Sequence, residues 1–193
     1  MFDCLKILVV NWFQIGQDIE GEAEFDFSSG SISLSEDGRT IAIGAEANDD
    51  NGEGAGHVRI YRNINGLWTQ IGFDINGTTE LDFFGKAVSL SADGKTVAII
   101  AGGSTKNNSD AGYVQVFTNV NDSWIQVGQD IVGEAEGDGD MASPSDNVSL
   151  SDDGRILAIG ARHNDGNGES SGHVRIFANQ GDTWEQVGED IDG

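Results

Sequence analysis

Positive charge, cysteine, proline and long apolar runs are all scarce in this chain. Its 193 residues hold 10 Lys or Arg against 33 Asp or Glu, a formal net charge of -23. A surface of that sign repels phosphate backbones and anionic headgroups, so neither nucleic acid nor a membrane surface is expected as a partner. No stretch approaches the roughly 20 apolar residues that span a bilayer, so no membrane insertion is expected. The one cysteine, Cys4, has no partner within the chain for a disulfide, and no Cys/His zinc spacing occurs. No window carries a 3.6-residue apolar period, so almost no helix is expected. Gly-x-Ser-x-Gly and Gly-rich phosphate-loop patterns are missing as well. Acidity and glycine would suit a disordered chain, but the regular spacing of Val, Ile, Leu, Phe and Trp would not.

What is present is repetition. Trp12, Trp68, Trp124 and Trp184 stand 56, 56 and 60 residues apart. Each opens one phrase, as in Trp12-Phe-Gln-Ile-Gly-Gln-Asp18 and Trp124-Ile-Gln-Val-Gly-Gln-Asp130. Gly38, Gly94 and Gly154 repeat with the last two of those spacings. The four extra residues of the last interval fall in a Gly/Asp/Ser/Pro-rich stretch, 137–146, where a lengthened surface loop costs little.

Each unit reads as four short strands. Strand a alternates, as in Ser31-Ile-Ser-Leu-Ser35, the pattern of a half-buried strand. Strand b is Thr40 to Ala45, and Asp37-Gly38 between a and b suggests a type I′ hairpin. Strand c is His57 to Tyr61, Tyr113 to Phe117 and His173 to Phe177; strand d is the Trp phrase. Radial repetition of four antiparallel strands makes a β-propeller, with a linear β-solenoid as the alternative. The expected fold is all-β: about three four-stranded blades plus an extra half-blade at the start. The expected divisions are 1–20 for the half-blade and 21–76, 77–132 and 133–193 for the blades.

The phrases Gly-Gln-Asp-Ile-x-Gly-Glu-Ala, Ser-Leu-Ser-x-Asp-Gly, Ala-Ile-Gly-Ala and Gly-His-Val-Arg-Ile resemble repeats of surface and secreted proteins of marine bacteria and algae. They are similar to FG-GAP repeats, the units of the integrin α-subunit propeller. Phe84-Gly85 matches the "FG" element, and Gly44-Ala45 and Gly160-Ala161 match the start of "GAP" without its proline. The resemblance covers nearly the whole chain from Trp12 onward and implies a propeller and a surface or extracellular setting. Any export signal would lie outside this chain, because the apolar run Ile7 to Val10 is far short of a signal-peptide core.

The b–c loops are the candidate metal sites. Asp49, Asn51 and Glu53 in the first copy, and Asp165, Asn167 and Glu169 in the third, place an oxygen ligand at every second residue. A glycine-rich turn with that spacing can wrap a hard cation such as Ca2+. The same residues also read as a solvated turn. The resemblance implies an Asp-x-Asp-x-Asp-Gly calcium loop between blade strands, of which this chain holds no full copy.

A second acidic set lies in the d–a loops: Glu22, Glu24 and Asp26; Glu80 and Asp82; Glu134, Glu136, Asp138 and Asp140. It reads as a solvated acidic face, because carboxylates spread one set per blade do not pair across one bond. His57 and His173 share a strand-c position that Tyr113 fills in the middle copy, which points to packing. Arg59 and Arg175, on the same strand face, are expected to pair with carboxylates. The Trp residues are expected to be largely buried at blade junctions.

No acid, base and nucleophile converge, so no enzyme is expected. The expected function is that of a non-catalytic extracellular structural or adhesion module, a scaffold or recognition surface. A Ca2+-dependent glycan- or protein-binding module is the alternative, and a glycan-active enzyme stands third. Three blades are fewer than the four or more that usually close a ring. The open ends are therefore expected to be covered by further repeats, a second copy or another protein.

Overall fold

The computed structural model describes residues 11–103, 111–134 and 147–193. Among these residues there is no helix. The strands form three antiparallel sheets. The first holds β1 (Ser31–Leu34), β2 (Thr40–Ala45), β3 (His57–Ile64), β4 (Leu67–Gln70) and the short β5 (Ile75–Asn76). The second holds β6 (Phe84–Leu90), β7 (Thr96–Ala101), β8 (Tyr113–Val120), β9 (Ser123–Gln126) and β10 (Ile131–Val132). The third holds β11 (Asn147–Leu150), β12 (Ile156–Ala161), β13 (His173–Asn179), β14 (Trp184–Gln186) and β15 (Ile191–Asp192). In each sheet the outer strand is broken in two, and both pieces pair with the third strand. This is the blade of a β-propeller.

The hairpins differ from the expected turn chemistry. Between β1 and β2 only Gly38 has positive φ, at +67°, and its N–H donates to Ser35 O at 2.9 Å. Asp37 stays right-handed because its carboxyl accepts Ser35 Oγ at 2.7 Å and the Arg39 N–H at 2.9 Å. The a–b turn is therefore not type I′. That turn sits between β3 and β4 instead, where Asn65 and Gly66 have φ of +54° and +88°, and between β8 and β9, where Asn121 and Asp122 have +52° and +60°.

The core lies between sheets rather than within one. Strand alternation sends Ala42, Val58 and Ile60 to the back of the first blade, where they meet Phe84, Val88, Leu90, Val97 and Ile99 on the front of the second. Ala98, Ile100, Val114 and Val116 meet Leu150, Leu157, Ile159 and Phe177 in the same way. The innermost strands are tied by side chains. Ser31 and Ser33 Oγ accept the N–H groups of Val88 and Leu90 at 3.0 and 2.9 Å, and Ser89 Oγ accepts that of Leu150 at 3.0 Å.

Three of the four Trp residues clamp the junctions, each donating its indole N–H to the previous copy of the phrase. Trp68 donates to Ile15 O, Trp124 to Ile71 O and Trp184 to Val127 O, at 2.9 to 3.0 Å. Their burial is uneven. Trp184 is buried, Trp68 and Trp124 are only half-buried, and Trp12 is 93% exposed. The expectation that Trp68 and Trp124 are largely buried is corrected: both are half-buried, although Trp124 packs against the core shared by the first two blades. Residues 11–20 occupy the outer-strand position ahead of the first blade but form no strand, since no third strand lies beside them among the described residues. The start of the expected half-blade and the loop insertion at 137–146 lie outside the described residues.

Candidate polar site at the blade junctions

The first residues of β3 and β13 enter the sheet beside the end of the outer strand and the loop that leads into the blade. Three segments thus bring side chains to one place. In the first blade they are Glu22, His57, Arg59 and Asp74; in the third, Glu134, His173, Arg175 and Asp190. One ligand atom each from Glu22, His57 and Asp74 lies within 4.8 Å of the others, and the same holds for Glu134, His173 and Asp190. These two sets have the composition and spacing that could hold a metal ion.

The charged contacts repeat closely, although the ring nitrogen without a hydrogen-bond partner is Nδ1 in His57 and Nε2 in His173. His57 Nδ1 is 3.7 Å from Glu22 Oε2, and His173 Nδ1 is 3.9 Å from Glu134 Oε2 and 3.7 Å from Asp190 Oδ2. Arg59 Nη1 is 3.4 Å from Glu22 Oε1, while its Nη2 donates to Glu20 O at 2.8 Å. Arg175 does the same with Glu134 at 3.5 Å and Val132 O at 3.0 Å. The expected Arg–carboxylate pairing is therefore present. Asp74 and Asp190 are oriented by Gln70 and Gln186, each donating at 2.6 Å. His57 is 1% exposed, and its Nδ1 has no hydrogen-bond partner among the described residues. Burial holds the His57 imidazole below its usual pKa against the opposing pull of Asp74 and Glu22, which favours the neutral ring, the form that can offer a lone pair.

The second blade fills the same place with another set. Tyr113 stands for His57, Gln115 for Arg59 and Thr78 for Glu22. Tyr113 Oη donates to Asp82 Oδ2 at 3.0 Å, and Gln115 donates to Asp130 at 2.8 Å. Burial first, then the Asp82 carboxyl, pushes the Tyr113 phenol well above its usual range. Blades one and three thus share a site chemistry that blade two lacks.

The residues expected to bind Ca2+ lie elsewhere, in the b–c loops, and the structure engages several of them within the turns. Asp49 Oδ1 accepts the Gly54 N–H at 2.7 Å, and Asp165 Oδ1 accepts the Ser170 N–H at 2.6 Å. Asn51 donates to Gly77 O, and Asn167 donates to Gly193 O at 3.0 Å. Glu53 and Glu169 join neither His/carboxylate cluster. The d–a loops are not a uniform solvated face either. Asp26 and Asp82 are 4% and 0% exposed because they cap their own loops: Asp26 accepts from Ala23 N and Asn48, and Asp82 from Thr78 N and Thr79 N. Glu136, Asp138 and Asp140 lie outside the described residues. Sequence reasoning noted His57, His173, Glu22 and Glu134 but did not join them. Joining them needs Asp74 and Asp190, read there as part of the Trp phrase.

No family model and no curated protein matches the chain, so the FG-GAP family itself is not shown. Solved structures do match. A protein of Bacteroides uniformis described as a 6-phosphogluconolactonase aligns with a TM-score of 0.54 at 18% identity, over 84% of this chain and 40% of its own. Sqt1 of Saccharomyces cerevisiae aligns with a TM-score of 0.51 at 14% identity, over 88% and 36%. The β-propeller domain of the Trilobed protease from Pyrococcus furiosus aligns at 0.48 and 14%, over 84% and 41%. The chain spans less than half the length of each. At these identities the likeness is one of fold. It still corrects one expectation. Catalysis was set aside for want of converging groups, yet this fold is shared with a protein described as a lactonase, and His, Glu, Asp and Arg do converge here. The chain is an all-β array of propeller blades.

Proposed function

We propose that this chain is a recognition module of a β-propeller in which the first and third blades each bind a divalent cation at a His/carboxylate site. The observation that carries this reading is the buried His57 Nδ1, without a hydrogen-bond partner and 3.7 Å from Glu22, in a ring that shares a 4.8 Å cluster with Glu22 and Asp74. Nitrogen with carboxylate oxygen suits a borderline ion such as Zn2+ better than Ca2+, which takes oxygen alone. An ion there would tie the loop before the blade, the third strand and the outer strand together, firming the surface offered to a protein or glycan. An extracellular or cell-surface setting is part of the proposal and is supported by the resemblance to surface-protein repeats.

Calorimetry with Zn2+ and with Ca2+ on the full chain tests it. Two Zn2+ sites are expected, with one lost in His57→Phe and the other in His173→Phe. No heat with either ion overturns the reading. A parallel assay of sugar-lactone hydrolysis decides whether the same site also turns over a substrate, since activity lost in those two variants would make it catalytic.

A further inference from the structure

The junction of the first two blades is a knob and a notch. Gly85, with φ of +92°, projects its carbonyl oxygen toward the first blade. Gly44 receives it, since a Cβ there would stand 1.9 Å from that oxygen. Val88 and Leu90 close the seat, each 7% exposed, with their N–H groups on Ser31 and Ser33.

Both halves of this junction recur without a partner among the described residues. The front of the first blade carries the knob. Ser29 stands at the Gly85 position with φ of +72°, although a side chain disfavours that conformation. Phe25 and Phe27, at +69° and +49°, match Leu81 and Phe83, at +61° and +50°. Ile32 and Leu34 take the places of Val88 and Leu90 but are 61% and 55% exposed. The back of the third blade carries the notch. Gly160 stands at the Gly44 position, with only Asn147 O near its would-be Cβ, at 3.9 Å. Ser149, exposed, stands at the Ser33 position. The back of the second blade has no notch: Ile100 fills that position, 0% exposed against the third blade.

We infer that two copies of this chain dock head to tail, the first blade of each seated on the third blade of the other. Two such contacts join the three described blades of each copy into a ring of six, within the usual range of roughly four to eight. The occupant is a second copy because each end offers what the other end lacks: a left-handed knob, an apolar pair and two free strand N–H groups against a glycine notch and a serine acceptor. Residues 11–19 now hold the outer-strand position in front of the first blade, through Trp68 Nε1 on Ile15 O and Gln17 on Trp68. The arriving third blade brings the same phrase on β14 and β15. Trp12, Phe13 and Ile15 are 93%, 80% and 67% exposed, whereas Trp184 is 3% exposed. The loosely held copy gives way, and Val187 O replaces Ile15 O as the acceptor for Trp68. The charge of -23 on each copy opposes approach, but it is screened beyond about 8 Å at physiological salt.

Sedimentation and light scattering of the full chain, over a range of concentration and salt, test this. A species of twice the 20.4 kDa chain mass is expected, favoured by added salt. Gly160→Ile fills the notch with the residue that β7 already accommodates, and Leu34→Asp puts a charge on an exposed face. Both should give monomers that melt like the wild-type monomer, and an equimolar mixture should recover one contact, since each variant keeps the face the other lost. A wild type that stays monomeric at its highest soluble concentration overturns the inference and would leave the faces to other blades. So would a dimer indifferent to both substitutions, or open-ended growth beyond two copies.

Discussion

The carbonyl oxygen of Gly85 occupies the space that a side chain on Gly44 would need, 1.9 Å from where the Cβ would sit. Backbone meets backbone there, so neither residue can swing aside. Gly44→Ala should cost about 3 kcal/mol or more, at the upper end of the usual overpacking penalty. Gly160→Ala, at the equivalent place in the third blade, should leave the monomer within about 0.5 kcal/mol of wild type, like most surface changes. Urea unfolding of the two variants at low protein concentration makes the comparison. Equal losses would mean that the glycine is required by its own strand rather than by the neighbouring blade.

The four Trp residues rank by what lies over them. Trp184 is buried and also receives Gln129, which accepts from its N–H at 3.1 Å and donates to its carbonyl at 2.7 Å. In the second copy Phe73 stands at the Gln129 position, so Trp124 lacks that clasp, and Phe73 itself is 96% exposed. Trp184→Ala should cost about 3–5 kcal/mol, as for a large core truncation, and Trp124→Ala clearly less. Trp12→Ala should cost almost nothing. Thermal melts of the three single variants should preserve that order.

Much of the architecture was legible because its signals are local. The 56-residue spacing, the alternation in Ser31 to Ser35 and the apolar third strands each follow from a few adjacent residues. The site was less legible because it is assembled across a blade. Glu22, His57 and Asp74 are separated by 35 and 17 residues, and only the pairing of β5 with β3 brings Asp74 beside His57. The turn type was misplaced because Asp-Gly suits two turns equally. Ser35 and Arg39 decided between them by hydrogen-bonding the Asp37 carboxyl. Burial of the Trp rings was overestimated because a repeated position says where a residue sits, not how much of it the neighbouring blade covers.

Those turn carboxyls give a pH prediction. A hydrogen bond from Ser35, then the Arg39 N–H, holds the Asp37 carboxyl below its usual value of 3.8; Ser151 and Arg155 do the same for Asp153. A depressed folded pKa means that the unfolded chain takes up the proton first as pH falls. Each turn's contribution is therefore present above about pH 4 and is lost as pH drops through the lower, folded value. Ser35→Ala should move the Asp37 titration up toward 3.8 and leave Asp153 where it was. Carbon-detected NMR of the two carboxyls reads both at once. An unmoved Asp37 would show that the backbone N–H, not the hydroxyl, sets its acidity.

The last prediction concerns the neutral counterpart of the His/Arg clusters. Tyr113 and Asp82 are both fully buried, and Asp82 Oδ2 gathers three donors: Tyr113 Oη at 3.0 Å, Thr78 N at 3.1 Å and Thr79 N at 3.0 Å. The carboxyl thus folds its own loop and fastens that loop to β8. Tyr113→Phe removes one donor without changing the ring, and should cost about 1–3 kcal/mol, the range for leaving a buried acceptor short of a partner. Asp82→Ala should cost more, because it strands two backbone N–H groups and a phenol that burial keeps protonated. Asp82→Asn keeps a carbonyl acceptor and should fall between wild type and Asp82→Ala. If the phenol and the carboxyl act as a unit, the double variant Tyr113→Phe with Asp82→Ala will cost less than the sum of the single losses, by roughly 0.5–3 kcal/mol. Strict additivity in that cycle would mean that the 3.0 Å contact adds nothing beyond packing.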